Sequence, residues 1–212
     1  RESELIPQFH IEHYRKQDEP LLYPDHDWVE EAIDNAAMQT QSNLNISGGT
    51  ERVKYFTSVG YFRQDGLLKQ YGDNMQNYGY NRFNIGSNVD IKVTPTTDIA
   101  LNTRARIGNR KLPHGDHPDR RWQRLYDATP MATAGYIDGK FISFPATHLN
   151  YAREVNFLED LYGGAYDKRT ENRLNLNLDI RQKLEAISPV LKGLQFRAKG
   201  GYRSGFNENI QA

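Results

Sequence analysis

The sequence contains no cysteine among its 212 residues, which excludes disulfides and thiolate chemistry. No apolar run approaches the roughly 18 residues of a membrane-spanning helix, so such a helix is not expected. Basic and acidic residues balance at 27 each, which argues against a nucleic-acid partner. There is no Gly-x-Ser-x-Gly elbow, no His-Glu-x-x-His and no phosphate-cradling glycine loop. The sequence therefore predicts a protein that is not an enzyme and uses no cofactor.

Six stretches of the chain alternate strictly between polar and apolar residues. One phase of the alternation carries no Asp, Glu, Lys or Arg, although 25% of the chain is charged. This phase consists of Thr40, Ser42, Leu44, Ile46, Val53, Tyr55, Thr57, Val59, Tyr61, Phe83, Ile85, Ser87, Val89, Ile91, Val93, Ile99, Leu101, Thr103, Ala105, Ile107, Leu174, Leu176, Leu178, Ile180, Leu194, Phe196, Ala198, Gly200 and Tyr202. A period of two indicates β-strands with one face against an apolar environment and the other against water.

The lengths of these stretches favour a membrane barrel. Tyr80–Val93 and Asn172–Leu184 exceed the about 5–6 residues of a usual soluble strand and reach the roughly 9–11 that cross a bilayer. Short connections alternate with long ones, as in outer-membrane barrels, whose long loops lie outside the cell. A soluble β-sandwich, whose strands also alternate, is the alternative. We therefore predict an all-β fold, antiparallel hairpins forming part of a transmembrane β-barrel, with extracellular loops at 1–38, 63–78 and 109–169.

Six strands are too few to close a transmembrane barrel, since the smallest have roughly eight. The chain, residues 1–212, is therefore expected to be one segment of a larger barrel domain. One short helix is predicted, beginning at Asp25 or Asp27 and running to about Met38, with Val29 and Ile33 on one face.

Tyrosines near the predicted strand ends suit the aromatic girdle that outer-membrane barrels carry at the membrane interface. These residues are Tyr55, Tyr61, Tyr78, Tyr80 and Tyr202. Such a girdle would lie where the strands pass from the hydrocarbon core of the membrane into the interfacial region.

The polar phase of the strands forms a predominantly basic wall, which is expected to face the lumen. Its main basic residues are Arg82, Lys92, Arg104, Arg106, Arg181, Arg197 and Lys199. Such charges must be solvated or paired, because burial of a lone charge is costly. The wall either attracts anionic solutes or pairs with acidic groups elsewhere, on further strands or on a plug. The sequence leaves both interpretations open.

The long insertion at 109–169 carries the candidate substrate-binding residues Trp122, Tyr126, Tyr136 and Phe141. Flat rings stack on sugar faces or peptide side chains. A helix over Asp119–Ala128 would put Trp122 and Tyr126 on one face, four residues apart. The same rings equally suit a small core that keeps the loop ordered.

A cluster of metal-ligand residue types occurs in His114-Gly115-Asp116-His117-Pro118-Asp119. Imidazole and carboxylate together suit zinc or a harder divalent ion. Gly115 and Pro118 interrupt the cluster, so nothing fixes its geometry. We predict no metal site.

Three motifs in order carry a family resemblance. Tyr-Pro-x-x-Asp-Trp occupies 23–28, Ser-Gly-Gly-Thr-Glu-x-Val-Lys-Tyr-Phe occupies 47–56, and Arg-x-Asn-x-x-Ser-Asn-x-Asp occupies 82–90. From Tyr23 to about Ile107, and loosely in the last hairpin, the sequence resembles the barrel of the SusC/RagA family of TonB-linked outer-membrane transporters.

The resemblance implies a parent barrel of about 22 strands, with a plug domain and a TonB-engaging segment that are not in this chain. It also implies import of glycans or peptides across the outer membrane of a Gram-negative, Bacteroidetes-type cell. The implied partners are TonB, outer-membrane lipids and a SusD-like lipoprotein that acts as an extracellular lid. The alternatives are a passive porin or adhesin-like barrel, and a soluble carbohydrate-binding β-sheet domain.

Overall fold

Six long strands form one antiparallel sheet in the computed structural model, which describes residues 7–71, 78–113, 118–143, 156–162 and 166–211. These strands are β1 (Gln39–Gly49), β2 (Val53–Asp65), β3 (Gly79–Thr94), β4 (Thr97–Pro113), β7 (Tyr166–Lys183) and β8 (Gln195–Gln211). A separate small hairpin consists of β5 (Tyr136–Ile137) and β6 (Lys140–Phe141). The large sheet has the order β1-β2-β3-β4-β7-β8, so each strand pairs with its neighbours along the chain. The predicted all-β antiparallel fold is confirmed.

The long strands contain 11 to 18 residues, enough to cross a bilayer at a tilt. β4 and β7 are longer than predicted, because their pairing continues from Asn109 opposite Thr170 to Pro113 opposite Tyr166. A continued ladder satisfies the backbone N–H and C=O groups of both strands. The sheet therefore takes up residues at both ends of the predicted loop 109–169.

The register places the charge-free phase of the strands on a single face of the sheet. One cross-strand row of this face is Leu44, Val59, Ile85, Ala105, Leu174 and Ser204. Leu44 is 61% exposed and Tyr202 is 59% exposed. The buried hydrophobic residues of the described ranges all lie outside the six long strands. A soluble sandwich would cover such a face with a second sheet, so this apolar face is suited to lipid.

Four helices and two 3₁₀ turns complete the described structure. The helices are α1 (Gln8–Lys16), α2 (Trp28–Ala32), α3 (Pro118–Asp127) and α4 (Phe157–Tyr162), and the 3₁₀ turns Leu184–Ala186 and Pro189–Leu191 connect β7 to β8. Within the described ranges, no helix combines the length and hydropathy needed to cross a membrane.

The cap is the group of segments that packs at one end of the sheet: α2, α3, α4, the β5–β6 hairpin and residues 66–71. Its buried core consists of Trp28, Ala32, Leu125, Phe157, Leu158, Leu161 and Tyr162. The Tyr78 hydroxyl, just before β3, donates to the Leu161 carbonyl at 3.2 Å, which joins the cap to the sheet. We call this end of the sheet the cap end, and the opposite end, with the short connections, the turn end.

Helix α2 begins as predicted but ends early. The Asp27 side chain accepts hydrogen bonds from the backbone N–H groups of Val29 and Glu30 at 3.0 and 2.9 Å, which is standard N-terminal capping. The helix stops at Ala32, whereas the sequence predicted that it would reach Met38.

A short pairing with the 66–71 segment ends this helix. Ile33 has an extended backbone and forms a β-bridge with Leu68. The Lys69 N–H donates to the Ala32 carbonyl at 2.9 Å, replacing a helical hydrogen bond. Trp28 and Ala32 are the buried residues of the helix. Of the predicted face, Ile33 packs against the core, whereas Val29 is exposed, so the prediction was wrong for Val29.

Candidate functional site

The polar phase of the six strands lies together on the second face of the sheet, and the register divides it into cross-strand rows. Four consecutive rows in the cap-side half of the sheet form the arginine zone, in which all basic residues are arginine. The next row toward the cap contains Leu112 opposite the buried Asp167. Its arginines are Arg82, Arg104, Arg106, Arg110, Arg169, Arg173 and Arg203. The single acidic residue of these four described rows is Glu171, which lies opposite Gly108. This part of the face therefore carries a strong positive excess.

A neutral row separates the arginine zone from the turn end. This asparagine row consists of Ser47, Phe56, Asn88, Asn102, Asn177 and Gly201. Amide side chains offer hydrogen bonds without net charge. The row therefore divides the polar face into two electrostatic regions.

Two consecutive rows on the turn side of the asparagine row form the ion-pair belt, in which basic and acidic residues are mixed. The belt consists of Lys54, Asp90, Lys92, Asp98, Asp179, Arg181, Arg197 and Lys199. Asp179 accepts from Arg197 Nη2 at 2.5 Å and from Arg197 Nε at 3.0 Å. Arg181 Nη2 donates to the same carboxylate at 3.4 Å. Pairing within the sheet therefore satisfies part of the positive charge here.

The residues predicted to form one basic wall thus share a face but fall into two regions. Arg82, Arg104 and Arg106 lie in the arginine zone, whereas Lys92, Arg181, Arg197 and Lys199 lie in the ion-pair belt. That this face lines a lumen stays a prediction.

Sequence reasoning missed Arg110 and Arg169, because the predicted strands ended at about residues 108 and 170. The alternation that continues through Arg106, Gly108 and Arg110 is the signal that could have found them. Asp98, which belongs to the belt, was also left out of the predicted wall.

Aromatic rings hold two guanidinium groups of the arginine zone in place. Arg82 Cζ lies 5.1 Å from the centroid of the Phe62 ring, and Arg110 Cζ lies 5.1 Å from that of Tyr80. Arg106 Nη2 donates to the Tyr80 hydroxyl at 2.9 Å. Tyr80 therefore lies on the polar face, and its predicted place in an interfacial girdle was wrong.

Two donors of this cluster, the Nε atoms of Arg82 and Arg106, are buried and have no hydrogen-bond partner among the described residues. Buried polar atoms in native structures nearly always have a partner. Arginine presents a planar fork of donors that matches a carboxylate or another oxyanion with two parallel hydrogen bonds. The cluster has the chemistry of an anion-binding surface.

Of the candidate aromatic residues in the long insertion, two pack against the cap core and one is exposed. Tyr136 and Phe141 belong to the β5–β6 hairpin, with ring centroids 5.0 Å apart, and both pack against the cap core. Tyr126 lies on α3 and is 73% exposed. Trp122 also lies on α3, but its side chain is outside the described residues. The helix predicted over Asp119–Ala128 is confirmed by α3.

Tyrosine hydroxyls link the separate segments of the cap. The Tyr71 hydroxyl donates to the Glu31 carbonyl at 2.6 Å, and burial, assisted by the nearby Glu31 charge, raises the pKa of Tyr71 to about 12. The Tyr162 hydroxyl donates to the Ala32 carbonyl at 3.4 Å, and burial raises the pKa of Tyr162 as well. Both groups stay protonated donors at neutral pH, so they hold the loop segments against α2.

No metal site is found among the residues that the structure describes, where no group of three or more His, Asp or Glu side chains converges. The stretch from His114 to His117 lies outside the described residues. The short contact in the cap between His26 Nδ1 and Glu31 Oε1, at 2.5 Å, is a two-residue pair.

Comparison with known proteins gives no matching protein-family model but two related receptors. TonB-dependent receptor P3 of Formosa agariphila is 34% identical over 194 residues, which cover 87% of this chain and 17% of that receptor. TonB-dependent receptor P26 of the same organism is 30% identical over 76 residues, covering 36% of this chain and 7% of that receptor. The chain thus spans less than a fifth of the length of these relatives.

A solved structure shares the fold. It is described as the RagAB peptide importer in the "closed-closed" state, and it matches with a TM-score of 0.57 at 16% identity. The match covers 93% of this chain and 21% of that one.

The strand meander, its uncovered apolar face and these likenesses define a segment of a transmembrane β-barrel of the TonB-dependent receptor class. The resemblance to the SusC/RagA family of TonB-linked outer-membrane transporters, predicted from the motifs at 23–28, 47–56 and 82–90, agrees with the two related receptors and with the fold shared with the RagAB importer. The relatives are receptors and an importer, not enzymes.

Proposed function

We propose that this segment forms part of the wall and the extracellular cap of a SusC-like, TonB-dependent importer of glycans or peptides. The observation that carries the proposal is the separation of the sheet into an uncovered apolar face and a polar face over all six strands, with charges on the polar face of five of them. Lipid suits the first face and an aqueous lumen suits the second. Outer-membrane lipids are therefore the first partner of this segment.

The cap lies outside the cell in this proposal. Its segments come from the three predicted extracellular loops, at 1–38, 63–78 and 109–169, and they pack at one end of the sheet. The exposed ring of Tyr126, with Trp122 one turn earlier on α3, is the part of the cap that we assign to contact with cargo or with a SusD-like lipoprotein. Tyr136 and Phe141 pack against the same cap core as Leu125 of α3.

Energy coupling belongs to a part of the receptor outside this chain. A TonB-engaging segment and a plug would open the passage, while the wall and cap described here hold and guide the cargo. The protein in the matched solved structure is described as a peptide importer, which favours peptides at least as much as glycans for this receptor.

The experiment that tests this function uses the full-length receptor. It is extracted in detergent and examined by native mass spectrometry, and uptake is measured in cells with and without TonB. We expect a bound surface lipoprotein and uptake that stops without TonB. Uptake that persists without TonB would instead indicate a passive porin or adhesin-like barrel.

Tyr126→Ala probes the proposed contact surface in the same receptor. We expect weaker binding of cargo or lipoprotein with an unchanged melting temperature, because the ring is exposed. The matched control is Tyr136→Ala, which should lower the melting temperature through lost packing. If Tyr126→Ala binds both cargo and lipoprotein as tightly as the unmodified receptor, α3 is not part of the contact surface.

A further inference from the structure

We propose that the arginine zone binds a carboxylate group of the cargo, and that the receptor therefore imports acidic peptides or uronic-acid glycans in preference to neutral ones. The inference rests on the proposed function and adds to it the charge class of the cargo and the position of its binding site. The ion-pair belt, although basic, has no part in this site.

The first argument is the composition of the arginine zone. Every basic residue in its four rows is arginine, and the one acidic residue, Glu171, forms no ion pair within the described part of the chain with Arg82 or Arg106. Arginine differs from lysine in presenting a rigid fork of donors to an oxyanion. The zone therefore offers geometry for recognition in addition to positive charge.

The second argument is the pair of unsatisfied donors. The Nε atoms of Arg82 and Arg106 are buried and have no hydrogen-bond partner in the described ranges. The two arginines are diagonal neighbours across β3 and β4, because Arg82 lies opposite Gly108, two residues from Arg106. Diagonal neighbours in an antiparallel pair lie roughly 7–8 Å apart along the backbone, close enough for their long side chains to reach the two oxygens of one bound carboxylate. Such a ligand would supply the missing acceptors.

The third argument is preorganisation of the cluster. Phe62 stacks against Arg82, and Tyr80 both stacks against Arg110 and accepts a hydrogen bond from Arg106. Side chains that are fixed before binding lose less conformational entropy when the ligand arrives. The aromatic rings thus hold the guanidinium groups ready for an anion.

The ion-pair belt provides the internal contrast. Arg197 and Arg181 already donate to the Asp179 carboxylate, so an anion arriving there must displace a partner that belongs to the sheet. In the arginine zone it would meet guanidinium groups that have no carboxylate partner among the described residues. Replacing two arginines in the arginine zone and two in the ion-pair belt gives a matched comparison of anion binding by the two regions.

The test uses the full-length receptor and two matched pairs of probes. One pair is a glutamate hexapeptide and a glutamine hexapeptide, and the other is an oligogalacturonate and a neutral galactose oligosaccharide of equal length. Binding is measured by calorimetry for the unmodified receptor, for R82Q/R106Q and for the control R181Q/R197Q. We expect at least tenfold tighter binding of the acidic member of one pair, loss of that preference in R82Q/R106Q, and its retention in R181Q/R197Q. The pair that shows the preference identifies the cargo as peptide or glycan.

Several results would overturn the inference. They are equal binding of acidic and neutral probes by the unmodified receptor, and an acidic preference that survives in R82Q/R106Q. A third is a lower melting temperature of R82Q/R106Q with an unchanged preference, since the arginines would then pair with a carboxylate of the receptor's own chain. If R82Q/R106Q fails to fold, R82K/R106K keeps the charge and removes the fork, and it should still weaken the acidic preference.

Cellular uptake separates this inference from the proposed function. A receptor that imports peptides or glycans without acidic preference contradicts the arginine site alone. A receptor whose deletion changes no uptake contradicts the proposed function as well.

Discussion

The two ends of the sheet are built from the same alternating strands but are stabilised differently. At the cap end, an arginine-rich zone with one acidic residue in its described rows lies beneath a small apolar core that includes Trp28 and Leu158. At the turn end, Asp179 pairs with Arg197 and Arg181 next to short connections. The arginine zone has seven basic residues and one acid, whereas the ion-pair belt has five basic residues and three acids. The positions of the acids therefore decide which arginines have a carboxylate partner within the sheet.

Truncating a side chain at the centre of the cap core is expected to have the largest effect on the difference in stability between the cap end and the turn end. Leu158 is fully buried, with 0% exposure, and truncation of a buried leucine to alanine costs about 2–5 kcal/mol. Leu158→Ala should therefore open the cap while the strands stay paired, which hydrogen–deuterium exchange of the two regions can measure. The control is Ile187→Ala at the turn end, where the side chain is 72% exposed and a change within about 0.5 kcal/mol is expected. Equal exchange of the cap in both variants would show that the core does not hold it.

A charge on the apolar face between the two ends is the next largest change. Leu176→Lys should cost about 2–4 kcal/mol if the site lies near the bilayer midplane. Its neighbour Asn177 lies on the opposite, polar face, so Asn177→Lys should leave stability nearly unchanged. Denaturant unfolding of the full-length receptor in lipid vesicles measures both. A lysine tolerated equally on either face would contradict the assignment of the apolar face to lipid.

The cap end should also respond to alkaline pH. Because burial raises the pKa of Tyr71 to about 12 from its ordinary 10, the neutral hydroxyl stabilises the folded cap fully below pH 10. That contribution is lost as the pH rises from about 10 to 12. Absorbance of tyrosinate, followed together with proteolysis of the cap, should show coincident transitions in this window.

Tyr71→Phe is the control for that transition. It removes the hydrogen bond to the Glu31 carbonyl, at a cost of about 0.5–1.5 kcal/mol, and it should make cap opening less dependent on pH in this range. Cap opening with the same pH profile in Tyr71→Phe would assign the transition to another group.

The smallest expected effect on stability is at the turn end. Asp179→Asn removes an ion pair whose arginines are 42% and 48% exposed, and such solvent-screened pairs contribute little to stability. It leaves Arg181 and Arg197 without their carboxylate. In the R82Q/R106Q background, this substitution should restore part of the affinity for the glutamate hexapeptide. The control is Asp90→Asn in the same belt, since Asp90 forms no ion pair with the residues that the structure describes. Similar affinity in both variants would mean that the acids do not decide which arginines are open.

The sequence was sufficient to predict the sheet because a strict period of two leaves only one arrangement of faces. Thr57, Ser87 and Thr103 are neither strongly apolar nor charged, yet they lie in one row of the apolar face, as their phase predicted. The cap could not be predicted in the same way. Its core joins Trp28, Leu125 and other residues from segments that are distant along the chain. A local pattern of polar and apolar residues does not predict contacts between such distant segments.

The candidate site was only partly predictable for a related reason. The phase of Arg82 and Arg106 follows from sequence, but whether their donors find acceptors depends on where the acids of other strands fall in the register. Tyr80 has the same phase as Arg82, and this parity alone would have placed it on the polar face. Asp179 has the phase of the polar face, but its hydrogen bonds with Arg197 and Arg181 depend on the pairing of β7 with β8.

Neighbour-to-neighbour strand order sets how the sheet assembles in time. Strands β1 to β4 are joined by connections much shorter than the one between β4 and β7, so they can form as successive hairpins. β4 can pair with β7 only after the long loop between Pro113 and Tyr166 has brought its two ends together. Closing a long loop carries an entropic cost before any contact is gained. Because α3 and α4 within that loop pack against α2, the cap folds the loop back on itself and brings its two ends together. The rate at which the second half of the sheet joins the first is therefore coupled to the stability of the cap.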